Sequence, residues 1–145
     1  MLIEVKKEYV INSDVEKVWN FLTDLKEVTS CMPRLEKLQI ETPTKFRGKI
    51  KPPFSFVKGR FKIESEIKQF REKESLTIGV RGSSIGSSFK ITMGITISPM
   101  DGTKIQIDAK VETFGLLKPL PKSLIHKGIE DIETPMLSCI KEKLE

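Results

Sequence analysis

Val57-Lys58-Gly59-Arg60-Phe61-Lys62-Ile63-Glu64-Ser65-Glu66-Ile67-Lys68 places an apolar or small residue at every second position, with charge between. A period of two is the mark of a strand with one dry face and one wet face. The alternation continues on both sides of this run. Upstream, Leu38 and Ile40 lead into a turn at Thr42-Pro43-Thr44. Phe46, Gly48 and Ile50 then alternate with Lys45, Arg47, Lys49 and Lys51 until Pro52-Pro53 breaks the run. Downstream, Arg71 to Glu74 form a charged turn, and Leu76, Ile78 and Val80 mark the next strand. A Gly/Ser loop over 82–88 precedes Phe89, Ile91, Met93, Ile95 and Ile97. Pro99-Met100-Asp101-Gly102 is a hairpin turn, and Ile105, Ile107, Ala109 and Val111 form the last strand. Six consecutive strands joined by short turns predict an antiparallel meander.

The flanks complete the layout. Residues 2–11 alternate loosely and add a seventh strand. Asn12-Ser13-Asp14 supplies helix N-cap chemistry, and Val15, Val18, Trp19 and Leu22 recur at helical spacing, which predicts a helix over 14–23. A second short helix spans Leu25 to Ser30 and ends before Pro33. At the C-terminus Leu124, Ile125, Ile129, Ile132, Met136, Ile140 and Leu144 keep helical spacing, with Pro135 as a kink. Each strand has one apolar face that something must cover, and this last helix is the cover. The prediction is an α+β fold in one domain over residues 1–145. It has a seven-stranded curved antiparallel sheet, two short N-terminal helices and a long C-terminal helix.

Bulk properties exclude several classes. A chain of 145 residues, 38% hydrophobic, fits one core. Its formal net charge of +5 suits anionic partners. No apolar stretch approaches the roughly 18 residues of a membrane span. Met1-Leu2-Ile3-Glu4-Val5-Lys6 is not a signal peptide, so a cytoplasmic protein is expected. Lys and Glu abound while Asn and Gln are scarce, a thermophile's balance. Cys31 and Cys139 have no second Cys or His at metal-ligand spacing and read as two reduced thiols.

Three segments carry a family resemblance: Val18-Trp19-Asn20-Phe21-Leu22-Thr23-Asp24, Cys31-Met32-Pro33, and Phe56-Val57-Lys58-Gly59-Arg60-Phe61. With the order of elements, they make the chain resemble the G-subunit family of carbon monoxide dehydrogenase. That family belongs to the START-like, birch-pollen-allergen (SRPBCC) superfamily of helix-grip folds. The resemblance covers essentially the whole chain. Arg34 and Leu35 stand where the family usually has Gly and a second Cys, and the chain stops at Glu145, where some members extend a membrane-reaching tail. The resemblance implies a cavity between sheet and helix, because the superfamily binds lipids, sterols, quinones and other apolar molecules. It also implies an accessory role toward molybdenum hydroxylases of the carbon monoxide dehydrogenase type.

Candidate residues follow from the strand phase. The cavity wall would be Phe61, Ile63, Phe89, Ile91, Met93, Ile107 and Val111 from the sheet, with Ile125, Ile129, Ile132 and Met136 from the helix. The same residues would also make a filled core. The small inward residues Gly48, Gly59, Ser65 and Ala109 favour space. Alternate turns of a meander share an end, and one end collects Met32, Phe54, Phe56, Ile85, Phe114, Leu116, Leu117 and Leu120. These ring a cavity mouth or pack locally against the start of the last helix; both readings stand. Lys45, Arg47 and Lys49 on one strand and Lys58, Arg60 and Lys62 on the next form a basic face. A hairpin about Pro52-Pro53 would set Lys45 opposite Arg60 and Arg47 opposite Lys58. Such a face is either solvated or meets an acidic protein or an anionic membrane surface. No aromatics interleave with these cations, which argues against nucleic acid.

His126 stands beside the apolar stripe of the last helix, without partners for a catalytic triad or a metal site. No cofactor, metal or catalytic residue is expected, and the chain reads as a non-enzyme. An assembly factor that needs no ligand is the alternative, and a cyclase-like enzyme the third reading. With Cys139 about 27 Å along a helix that starts at the mouth, no bridge to Cys31 is expected, since a disulfide needs Cα atoms within about 7 Å.

Overall fold

The computed structural model describes residues 1–54, 57 and 59–145. The described residues form a seven-stranded antiparallel sheet and three helices, in the order β1 (Leu2–Ile11), α1 (Val15–Leu22), α2 (Leu25–Ser30), β2 (Leu35–Thr42), β3 (Lys45–Ile50), β4 (Phe61–Arg71), β5 (Ser75–Ser84), β6 (Ser87–Met100), β7 (Gly102–Gly115) and α3 (Lys122–Leu144). The spatial order is β1-β7-β6-β5-β4-β3-β2, so the meander is unbroken and β1 closes it against β7.

Local chemistry sets the helix starts. The Asp14 carboxylate accepts from the Lys17 amide at 2.8 Å and caps α1, and Asp24 accepts from Lys26 at 3.0 Å to cap α2. Trp19 and Val18 bury the inner face of α1 among Ile11, Leu76, Ile95, Ile97 and Ile105. A second cluster gathers Leu25, Phe46, Ile50, Phe61, Ile63 and Leu117, and a third Ile3, Val5, Ala109, Val111 and Ile125. Pro135 lies inside α3, where it removes one helical hydrogen bond.

Four expectations need correction. The Gly/Ser segment over 82–88 is mostly strand: β5 runs to Ser84 and β6 resumes at Ser87, leaving Ile85-Gly86 as a two-residue turn with Gly86 at φ 77°. β4 begins at Phe61, and Gly59 precedes it at φ 85° with open space around it, so Gly59 is not an inward residue. That late start resets the hairpin register. Lys45 lies opposite Glu66 and Arg47 opposite Glu64, rather than opposite Arg60 and Lys58; Lys58, like Phe56, lies outside the described residues. Longer loops shift register without disturbing the alternation, so the faces stay as read while the partners change.

The fourth correction is a disulfide. Cys31 and Cys139 are bridged, with Cα atoms 5.5 Å apart. The long C-terminal helix is where it was expected: its first turns meet Ile3 and Val111, and its last meet Ile11 and Ile97. The misplaced element is α2. It lies beside the last turns of α3, where Lys143 binds Glu27 at 3.2 Å and also Ser30. Met32 packs into the Phe61 cluster while its neighbour Cys31 turns to α3. Adjacent residues thus serve different contacts, and adjacency to Met32 misled the placement.

Candidate functional site

The site is the face of the sheet turned toward α3. Register aligns its rows across the strands. One row runs Phe46, Ser65, Val80, Ile91, Val111, Ile3, and the next Ile67, Ile78, Met93, Ala109, Val5. Burial is uneven along these rows. The outer members Phe46, Ile3, Val5, Ala109 and Val111 are sealed. The central members Ile78, Val80, Ile91 and Met93 keep part of their surface, as do Phe89, Ile107 and, from α3, Ile129, Ile132 and Met136. The backbone of α3 comes close to β1 rather than to the central strands. An apolar surface that faces inward and stays half open is unusual, because covering such surface is what drives the helix onto the sheet.

Polar groups on this face include Ser65 and Thr103, both buried, and Lys7, which pairs with Glu130 of α3 at 3.9 Å. The Tyr9 hydroxyl, inward on β1 and packed on the Ile11 cluster, is buried without a hydrogen-bond partner among the described residues. Thr113 Oγ1, inward on β7 opposite Phe89, is in the same state. Each unpaired group costs about 1–3 kcal/mol unless something binds it.

The wall residues read from sequence, Met136 excepted, pack into the apolar clusters of this face: Phe61, Ile63, Phe89 and Ile132 in one, Ile91, Met93, Val111, Ile125 and Ile129 in another, and Ile107 in the third. Phe61 and Ile63 are fully buried beside Phe89, whose ring lies 5.4 Å from that of Phe61. Gly82 is the reason: a Cβ there would strike the Phe89 ring, so the glycine makes room for it. Gly48 does not leave free space, because Leu35 Cδ1 lies 2.9 Å from where its Cβ would be.

The mouth residues divide. Leu117 is buried, Met32 and Leu120 pack into the core, and Phe54 packs on both the Phe61 and the Ile3 clusters. The Phe54 ring lies 2.6 Å from where a Cβ on Gly128 would stand, so it fits under the first turns of α3. Ile85, Phe114 and Leu116 instead remain exposed.

The basic face also divides. Lys45 pairs with Glu64 at 2.8 Å, Arg47 with Glu41 at 2.6 Å, and Arg60 with Glu36 at 3.0 Å. The hydrogen bond from Lys45 holds the Glu64 carboxyl below its usual range, Glu64 in turn raises Lys45, and the bond from Arg60 lowers Glu36. Lys49 and Lys62 remain directly opposite each other. The strand reading of 82–88 adds Arg81 and Lys90, also opposite each other, which reading a loop there had hidden. Tyr9 and Thr113 were missed because nothing in sequence marks a hydroxyl as unpaired.

His126 is exposed on α3. Among the described residues no three His, Cys, Asp or Glu side chains are grouped to hold a metal ion, and no helix is long and apolar enough to cross a membrane.

Comparison with known proteins places the chain. A conserved protein from Geobacillus kaustophilus shares 15% identity with a TM-score of 0.88, over 98% of this chain and 95% of that one. A START superfamily protein from Mycobacterium smegmatis shares 15% identity with a TM-score of 0.72, over 97% and 96%. The di-domain ARO/CYC protein BexL of the BE-7585A biosynthetic pathway shares 12% identity with a TM-score of 0.70, over 99% of this chain and 50% of BexL. At such identities the likeness is one of fold. No curated protein matches the sequence. The family of the carbon monoxide dehydrogenase G subunit, CoxG, matches residues 8–145, nearly the whole chain. The chain therefore belongs to the CoxG family, that of the carbon monoxide dehydrogenase G subunit.

Proposed function

We propose that the protein is a non-catalytic binding protein that holds an apolar, lipid- or quinone-like molecule between the sheet and α3, as an accessory to a molybdenum hydroxylase of the carbon monoxide dehydrogenase type. The observation that carries this reading is the incompletely buried centre of the inner face, where Ile78, Val80, Ile91 and Met93 stay only half-buried although they lie on the side of the sheet turned toward α3. Burying such surface in a ligand is worth about 25 cal/mol per Å², enough to hold an apolar molecule without charged contacts. The unpaired Tyr9 and Thr113 hydroxyls suit a ligand that also carries an oxygen able to hydrogen-bond. Family membership supports the partner enzyme. The non-catalytic reading rests on His126 being exposed and on the acids standing mostly at outward strand positions, in turns and caps, and at exposed helix positions. We place the protein in the cytoplasm of a thermophile, where Lys and Glu abundance and an internal disulfide occur together.

Native mass spectrometry with organic extraction, on protein isolated from its own cells, tests this. The expected result is a co-purifying apolar molecule in stoichiometric amount. A clean apoprotein, with no thermal shift against lipids and quinones, would sink the carrier reading and leave the assembly factor.

A further inference from the structure

The two halves of α3 are held by different means. The N-terminal half is seated by packing: Ile125 and Gly128 are buried, and the Phe54 ring lies against Gly128. Pro135 then removes a helical hydrogen bond and weakens the helix at its middle. Beyond it, from Met136 to Glu145, no residue is fully buried. Leu137, Ile140 and Leu144 rest on the Ile11 and Ile97 cluster, and Tyr9, Ile78 and Met93 pack on that same cluster. Among the described residues the polar ties of this half are exposed ones. Lys143 binds Glu27 at 3.2 Å and also Ser30, and the Asn12 amide donates to the Glu145 carboxylate at 2.9 Å. Such contacts hold weakly and are screened by salt. The covalent tie is the Cys31–Cys139 bridge.

One sulfur of that bridge can be reached. Cys31, at the C-terminal end of α2, is only 5% exposed, whereas Cys139 keeps part of its surface. The thiolate of a dithiol reductant would attack Sγ of Cys139, and Sγ of Cys31 would leave as a thiolate. The second thiol of the reductant then displaces Cys139 from the mixed disulfide. The reductant ends as a disulfide, and its two hydrogens and two electrons end on the two protein sulfurs. Lys143 brings a positive charge to Ser30, the residue next to Cys31, which favours a thiolate there.

We propose that the Cys31–Cys139 bridge is a thiol-exchange site whose reduction by a dithiol frees the C-terminal half of α3 and uncovers the inner face around Tyr9, Ile78 and Met93. The N-terminal half stays seated on Phe54. Release of the helix stands on the bridge alone, whereas the passage of a ligand through the opening rests on the carrier reading proposed above. In that reading the oxidised protein retains its apolar molecule and the reduced protein exchanges it.

Hydrogen–deuterium exchange of the full chain, read by mass spectrometry well below the melting transition, tests the release. Dithiothreitol should speed exchange over residues 136–143 by at least about tenfold and leave residues 122–130 within about twofold. Cys139→Ser should exchange like the reduced wild type and ignore the reductant. Lys143→Ala, which cuts exposed ties only, should change the same amides by less than about fivefold. Unmoved exchange over 136–143 once both thiols titrate as free overturns the proposal. Equal loss of protection over both halves also overturns it, because the bridge would then staple the whole helix. Uptake of the neutral dye N-phenyl-1-naphthylamine tests the opening in the same samples. It should be faster on reduction and slow again on reoxidation with oxidised dithiothreitol. Equal uptake in both redox states overturns the gate. No uptake in either state, with exchange over 136–143 accelerated, sinks the carrier reading instead and leaves the thiol-exchange site standing.

Discussion

Glu64 shows how much a single residue can alter a surface. It stands at 2.8 Å from Lys45 and 3.7 Å from Arg47, and turns a strand of cations into a paired one. Its carboxyl is held below the usual range by Lys45, so the pairing contributes stability that is present above the unfolded carboxyl's titration range and is lost as pH falls through the folded one. Lys45 is raised by the same pair, so its share is present below the unfolded lysine range and lost as pH rises through the folded one. The groups are exposed, so the effect is small and screened by salt. Glu64→Gln should therefore melt slightly below the wild type at neutral pH and low salt, and the gap should close on acidification. Parallel melting curves across that range would show the pair to be idle. Tyr9 and Thr113 make the complementary point. Their positions on the inner phase of β1 and β7 are legible in the alternation, but an unpaired hydroxyl is a property of the packed interior.

At the scale of elements, α3 and α2 form one unit. Helix α3 buries Ile125 and Gly128 fully and leaves most of its other residues half-buried or exposed, so apolar contact alone holds it lightly. The Cys31–Cys139 bridge and the Lys143 contacts with Glu27 and Ser30 fasten its C-terminal half to α2. The bridge closes a loop with a sequence separation of 108 residues, for which chain entropy gives about 4.8 kcal/mol. Cys139→Ser should thus lower the melting temperature by roughly 10–15 °C, and reductant should do the same to the wild type while leaving the variant unmoved. A wild-type melting curve unaffected by reductant would mean the bridge contributes nothing in solution. The two cysteines are far apart in sequence and sit in no spacing pattern, so the pairing came from how α2 packs.

At the scale of the whole molecule, the question is whether sheet and α3 enclose space or a filled core. Val80, half-buried on β5, faces the interior between Ser65 and Ile91. In a filled core Val80→Phe would cost about 1–3 kcal/mol through overpacking. With the centre half open it should cost less than about 1 kcal/mol by denaturant unfolding, and it should reduce the yield of any extracted ligand. A cost at the full overpacking value would mark the interior as filled.

What the sequence determined by itself was periodic. Strand phase, the order of seven strands, the capped helices and the long α3 all follow from side-chain alternation and cap chemistry, which act between near neighbours. Phe61, Ile63, Ile91, Met93, Ile125 and Ile129 were legible as inward for that reason. Tertiary structure alone decided the β3–β4 register, the splitting of the apolar loop residues into core and exposed tip, the disulfide and the open centre of the inner face. Each of these depends on loop path and distance in space. Alternation records which face a residue takes, but not which partner it finds there or how close the covering helix comes.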